Sequence, residues 1–361
     1  MLERIWKKII RRRPYTLWDI PAFFLWMASL IYRMLFALHK ATLGSPVRVS
    51  VPVMSIGNIT VGGSGKTPLV SFIASDLLAE DIRVGIVSSG YGRTGTGAFI
   101  EPGYKVQALN VADTSDEVML LAHAVPEAVF SVHPNKTEAA RALADSGLVD
   151  VIVVDDGFQH FALERDIDIV AYDAGFKRRV LKPFPYGMLR EPRSALKRAD
   201  VIVITRAKFA MDLNAIKRDL QKINKNAEIY SAAFEANNLI GSDRCHSIKY
   251  IADKSVLLFA GVGNFRSLER QVSTISADLD LALEFSDHQV YDEEVLKRIE
   301  RLADKHEPDM ILTTFKDWVK IAPRDFGREF FYLDLQVDLD PGEEKLVAYL
   351  KDKLGLEGRT D

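Results

Sequence analysis

The chain has a single cysteine, Cys245, among its 361 residues. One thiol excludes an internal disulfide and any multi-cysteine metal centre, and points to a reducing compartment. Nothing around Cys245 spells a cysteine-enzyme signature, so it reads as a bystander. Charge of one sign is not in excess either: 47 Lys and Arg face 50 Asp and Glu, a net of −3. That balance gives no case for nucleic acid as a partner. Internal repeats and low-complexity tracts are absent. A hydrophobic fraction of 48% is that of a globular chain with ample core and room for two domains. Long apolar runs are missing too, with one exception near the N-terminus.

That exception follows a basic lead. Residues 1–13 carry Arg4, Lys7, Lys8, Arg11, Arg12 and Arg13 against one acid, Glu3, and an apolar block rich in Phe, Trp, Leu and Met occupies 21–38. No small-residue cleavage site follows, which argues against a signal peptide. The block is at the short limit for a membrane span, and Arg33 within it would cost roughly 2.5–3.5 kcal/mol at mid-bilayer. A basic, aromatic-rich segment of this kind suits the interface of an anionic leaflet. The competing reading is a buried core helix. The expectation is a membrane-associated helix over residues 1–40.

From residue 51 the pattern alternates apolar strands with helices, which predicts a parallel α/β sheet over 41–229. Strands are expected at 51–56, 84–88, 128–132, 151–155, 167–172 and 201–205, and helices at 67–80, 116–124, 136–146 and 212–223. Beyond 229 the register changes. Residues 230–234 and 330–335 read as short extended connectors bracketing a smaller α/β unit over 230–336. That unit has strands at 255–260 and 310–314 and helices at 266–273 and 292–303. A charged surface helix is expected within 337–361.

The chemistry gathers at strand ends. Thr60-Val61-Gly62-Gly63-Ser64-Gly65-Lys66-Thr67 lies between a β-branched run and an apolar helical pattern. Glycines there let the backbone wrap a phosphate, Lys66 can reach β- and γ-phosphates, and the Thr67 hydroxyl suits Mg²⁺. The motif implies a nucleoside triphosphate, although Thr60 stands where the general pattern has glycine. The strand at 151–155 ends in Asp155-Asp156-Gly157. Read alone this is ordinary turn chemistry, but behind a phosphate loop the paired carboxylates suit a metal shell. Gly90-Tyr91-Gly92-Arg93 follows another strand and offers a cation on a flexible loop. Ser115 or Thr114 caps a helix opened by Asp116 and Glu117; the residues alone favour capping and helix-dipole roles over catalysis. Arg190-Glu191 sits in a proline-bounded loop as a clamp or a surface ion pair. His288, beside Asp287, is a general acid/base or a structural histidine. Lys316-Asp317 just past a strand end offers a cation to an anion.

In this order the motifs resemble the tetraacyldisaccharide 4'-kinase family of lipid A biosynthesis, from the basic N-terminus to about Lys320. Thr60 in place of the leading glycine is that family's own habit. The resemblance implies a P-loop NTPase-type α/β kinase domain, a second smaller α/β domain and a membrane-associated N-terminal helix. It implies a cytoplasmic enzyme at the bacterial inner membrane that moves the γ-phosphate of ATP to the 4'-hydroxyl of a tetraacyldisaccharide 1-phosphate. The partners implied are the acylated disaccharide lipid and the cytoplasmic leaflet, with no obligate protein partner. By the same resemblance Thr60, Gly62, Gly63, Ser64, Gly65, Lys66, Thr67, Glu117, Gln159, Arg190 and Glu191 serve ATP. Thr67, Asp155 and Asp156 serve Mg²⁺, Asp116 acts as base with His288, and Tyr91, Arg93 and Lys136 meet the substrate. The chain departs from the family pattern at Ser89 and Lys136, where arginine is usual, at Gln289, usually histidine, and at Phe315. The rival reading is a membrane-associated regulatory P-loop ATPase; those carry a lysine just before the paired glycines, where Val61 stands. A catalytically inactive scaffold is disfavoured by intact Lys66, Thr67, Asp116 and Asp155.

Overall fold

The computed structural model describes residues 2–12, 16–93, 95, 97–109, 111–263, 265–276, 278–286, 289–321 and 324–356. Its strands are β1 Val53–Gly57, β2 Val84–Ser88, β3 Phe99–Pro102, β4 Val129–Val132, β5 Val151–Asp155, β6 Ile167–Asp173 and β7 Val201–Thr205, followed by β8 Glu228–Ile240, β9 Cys245–Ser247, β10 Ser255–Ala260, β11 Asp278–Glu284, β12 Met310–Thr314 and β13 Glu329–Asp340. All six strands expected before residue 229 are present. β3, β9 and β11 were not foreseen, being short, polar or set at a sheet edge.

One path joins the strands in the order β11-β10-β12-β13-β8-β7-β6-β1-β5-β2-β4-β3. From β8 to β4 the neighbours are parallel, and β3 closes that edge antiparallel to β4. From β11 to β13 they are parallel as well. The connectors foreseen at 230–234 and 330–335 are parts of two long strands, β8 and β13, paired antiparallel from Ser231–Asp340 to Ile240–Tyr332. Their N-terminal halves serve different units: Glu228–Ser231 pairs with β7, and Glu329–Leu333 pairs with β12. This antiparallel ribbon reverses the second sheet, so the carboxyl edges of the two parallel sheets face each other across a cleft. Ligands of open α/β sheets sit at such edges.

Helices cover both faces of the large sheet because its strands are apolar along their whole length. The helix Lys66–Ala79 buries Leu69, Val70, Ile73, Ala74 and Leu77, a stripe at helical spacing. The C-terminal helix Glu343–Leu354, foreseen as a surface element, turns Leu346, Leu350 and Leu354 into the same core. Its i, i+4, i+8 leucines were masked by the charges between them.

The apolar N-terminal block is a helix, Asp19–Thr42, with a mean hydropathy of 1.6 over its most apolar stretch. It lies against the protein by one face only. Ala22 and Ser29 are buried, Tyr32 packs edge-on to Phe184 at 5.6 Å and donates to the Arg190 carbonyl at 3.2 Å, and Lys40 sits 4.4 Å above the Phe161 ring. Phe23, Phe24, Trp26, Met27, Ile31, Met34 and Leu38 face outward. A core helix would have buried them. The preceding helix, Leu2–Ile10, docks through Trp6, whose indole donates to the Pro185 carbonyl at 2.6 Å.

One carboxylate is poorly placed. Asp76 lies on Lys66–Ala79, its Oδ2 buried without a hydrogen-bond partner; burial, then the charge of Glu343, raises it to about 6. A raised acid pKa costs stability as pH rises from the unfolded value through 6. Asp76→Asn is therefore expected to raise Tm by about 2 °C at pH 7.5, with the gain vanishing below pH ~4. Thermal melts at the two pH values check this.

Candidate active site

The phosphate loop begins where β1 stops. Gly57 is needed there because a Cβ would meet Phe158 Cβ at 2.5 Å. Asn58 Nδ2 then donates to Ser64 Oγ at 2.7 Å, folding the loop back on itself. Gly65 enters the helix in the left-handed region, φ 80°, and a Cβ would strike the Phe234 ring at 2.6 Å. β8 thus packs directly on the loop. On the other side the strap 183–191 zips to it: Val61 N–H donates to the Met188 carbonyl at 2.7 Å, and Arg190 N–H to the Ile59 carbonyl at 2.8 Å. From the end of β7, the Thr205 hydroxyl donates to the Ser64 carbonyl at 2.7 Å and Arg206 to that of Gly63 at 2.8 Å. Arg206 is held in turn by Asp173.

Three cations converge on the aspartate turn after β5. Lys66 Nζ is 3.3 Å from Asp156 Oδ1, and Arg190 donates to Asp156 Oδ2 at 2.9 Å. Lys136 Nζ lies beneath, donating to the carbonyls of Asp155 and Asp156 at 2.6 and 2.9 Å. Asp156 adopts φ 50°, the left-handed region, which these bonds help hold. Burial pushes the Asp156 carboxyl up, but Lys66, Arg190 and Lys136 outweigh it and keep it below the usual carboxylate range. Asp155 goes the other way: burial lifts it to about 6 against the pull of Lys136. Burial also lowers Lys136 and brings neighbouring His160 to about 4, so the imidazole is neutral at pH 7.

These residues fit a hard cation. Asp155 Oδ1 is buried without a hydrogen-bond partner, Asp156 Oδ1 has Lys66 Nζ at 3.3 Å, and Thr67 stands in the first turn of the loop's helix. Two carboxylates and a hydroxyl are what Mg²⁺ uses when phosphates and water complete its shell.

On the same unit as the phosphate loop, Asp116 opens the helix Asp116–Ala124, whose N-cap Ser115 accepts from Val118 N–H. Glu117 is the next residue of that helix. Asp116 faces the smaller unit, where Lys320 Nζ lies 2.6 Å from its Oδ2. His288, its proposed companion, lies outside the described residues together with Asp287.

Other candidates stand elsewhere. Gln159 and Glu191 form a buried bracket behind the loop: Gln159 Nε2 donates to the Asn58 carbonyl at 2.8 Å and to Glu191 at 2.9 Å, while Arg198 grips Glu191 with two bonds of 3.0 Å. Their polar atoms face the protein. Lys136 points under the aspartate turn, its ammonium bonded to main-chain carbonyls. Tyr91 is 83% exposed, and Arg93 donates to the Gly97 carbonyl at 2.8 Å, folding its own loop. Lys320, Arg198 and Arg206 were missed. Arg206 follows a strand end, a readable signal; Lys320 and Arg198 carry none.

Comparison with known proteins places this geometry. The model of the LpxK family, tetraacyldisaccharide-1-P 4'-kinase, matches residues 21–355. The chain belongs to this family. Among similar proteins, the tetraacyldisaccharide 4'-kinase of Halothermothrix orenii is 33% identical, covering 94% of this chain and 92% of its own. That of Chlorobium phaeovibrioides is 30% identical, over 96% of this chain and 100% of its own. The crystal structure of LpxK from Aquifex aeolicus in complex with ATP is 27% identical, with a TM-score of 0.70 over 92% of this chain and 97% of that one. The expected α/β fold is thus the family's fold, and the chain is a kinase.

The Glu191 bracket makes a prediction. Its side chain is 4% exposed and carries both the Arg198 fork and the Gln159 amide. Glu191→Ala should cost about 3 kcal/mol of stability by leaving a partly buried guanidinium unpaired. Urea unfolding of nucleotide-free protein measures it.

Proposed function

We propose a division of labour within the established family reaction. The chain is an ATP-dependent kinase that phosphorylates the 4'-hydroxyl of a tetraacyldisaccharide 1-phosphate in lipid A biosynthesis. The observation that supports the assignment of roles is the placement of Lys66, Arg190 and two carboxylates at one sheet edge, with Asp116 in the helix that meets the opposite edge. The acceptor oxygen attacks the γ-phosphorus, the bond from that phosphorus to the β–γ bridging oxygen breaks, and ADP leaves. The hydroxyl proton passes to Asp116. Lys66 and Arg190 spread positive charge over the transferring group, and the loop N–H groups orient the phosphates. Thr67, Asp155 and Asp156 would hold Mg²⁺, which neutralises charge on the β- and γ-phosphates when bound. Glu191 and Gln159 keep the loop and strap in register rather than touching nucleotide. His288 takes the supporting role beside Asp116 that the family resemblance implies.

The N-terminal helices support work at the cytoplasmic leaflet of the inner membrane. The outward face of Asp19–Thr42 is a continuous apolar stripe, and Lys7 and Lys8 close the short basic helix beside it. The contacts of Tyr32 and Lys40 with the body favour a helix lying in the interface over one crossing the bilayer. Tyr32 bonds the main chain of Arg190, whose guanidinium bonds Asp156. The membrane helix therefore rests directly on the strap that forms one wall of the site.

Transfer of labelled γ-phosphate to a tetraacyldisaccharide 1-phosphate in detergent micelles tests the reaction, with Lys66→Ala as control. Asp116→Asn should lower kcat at least about 10²-fold while sparing ATP affinity, because a base acts in the transition state. Near-normal turnover would remove Asp116 from that role. Paired Phe24→Asp and Met34→Asp, at side chains 62% and 63% exposed, should leave Tm unchanged yet weaken sedimentation with anionic liposomes at least about tenfold.

A further inference from the structure

We propose that Lys320 is a positioning residue for phosphoryl transfer: from the smaller unit, its ammonium fixes the Asp116 carboxylate and latches the two facing sheet edges across the cleft. This rests on Asp116 serving as the base. Lys320 Nζ lies 2.6 Å from Asp116 Oδ2, and the two side chains are only 11% and 12% exposed. The ammonium also donates to the Gln289 carbonyl at 3.2 Å. Surface ion pairs contribute little, but one screened from water has a larger Coulombic coupling and a defined geometry.

The lysine is not simply reaching out on a mobile stem. Its N–H donates to the Asp317 carbonyl at 3.1 Å. The fully buried Asp317 carboxylate accepts from Gly261 N–H at 3.0 Å and from the Thr314 hydroxyl at 2.7 Å. This staple ties the turn after β12 to the end of β10, so Lys320 is presented from the carboxyl edge of the second sheet. A second contact lies alongside: the His123 ring, on the helix that Asp116 opens, packs edge-on to Phe315 at 5.1 Å. Phe315 is one of the residues that depart from the family pattern, and here it supplies an apolar interlobe contact beside the ionic one. A base whose rotamer is fixed accepts a proton from a bound hydroxyl without first paying to orient itself. Lys320 touches neither proton nor phosphate in this role.

Full-length Lys320→Met, Lys320→Arg and Asp116→Asn, and the Lys320→Met/Asp116→Asn double variant, test it by lipid phosphorylation in micelles. Lys320→Met is expected to lower kcat about 10–100-fold with ATP KM within about threefold, and Lys320→Arg to recover part of the loss. The double variant should be no slower than Asp116→Asn alone, the non-additivity of residues acting as a unit; a purely structural lysine would slow it further. Lys320→Met within twofold of wild type, with Asp116→Asn inactive, would overturn the latch and keep the base. An active Asp116→Asn would overturn the base itself. Should Lys320→Met fail to fold by thermal melt, Lys320→Gln is read by the same criteria.

Discussion

The structure depends most on a carboxylate held among cations. Asp156 follows a strand buried on both faces, takes a left-handed conformation and receives Lys66 from the phosphate loop and Arg190 from the strap, with Lys136 beneath its carbonyl. Removing one charge would leave the others uncompensated at low exposure, where electrostatic penalties are largest. The cluster therefore fixes the relative positions of three segments far apart in sequence. It also sets two adjacent carboxyls to opposite protonation tendencies, Asp156 lowered and Asp155 raised to about 6. Functional sites and buried ion-pair networks both separate neighbouring carboxyls in this way.

Topology decides what faces this cluster. Two parallel sheets joined by a parallel strand would present their carboxyl edges on the same side, and the second unit could add nothing to the first unit's site. The β8–β13 ribbon pairs antiparallel instead, and each long strand serves both units. The edges consequently oppose one another, and the turn after β12 arrives at Asp116. β8 also buries Phe234 against Gly65, so the same ribbon that orients the smaller unit limits what the loop glycine can be. A side chain at residue 65 would disturb both loop and ribbon.

Much of this was readable from residues. The six apolar strands, the loop helix and the aspartate turn follow from local composition, because a buried parallel strand is a short apolar run and a phosphate loop is a fixed spacing of glycines and lysine. What was not readable depended on long-range pairing. The extended stretches at 230–234 and 330–335 read as short because their outer residues, such as Glu235, Asn238, Asp334 and Gln336, are polar. They pair backbone to backbone all the same. Glu191 and Gln159 carry functional-looking chemistry, yet their partners Arg198 and the Asn58 carbonyl turn them inward. Lys136 likewise bears a charge suited to a phosphate, but its ammonium ends on main-chain carbonyls. In each case residue type was correct evidence for polarity and silent about direction.

The apolar N-terminal helix and the site are linked by a short physical path. The outward face of Asp19–Thr42 leaves its Phe, Trp, Met and Leu side chains exposed. The inward face meets the 183–191 strap, and that strap hydrogen-bonds the phosphate loop through Val61 and Ile59 and reaches Asp156 through Arg190. The helix therefore bears on the loop wall through a single layer of contacts. The strap lies between the helix and the phosphate loop, so one segment binds both. That placement gives a lipid kinase a reason to keep its apolar N-terminal helix packed on the catalytic body instead of on a flexible tether.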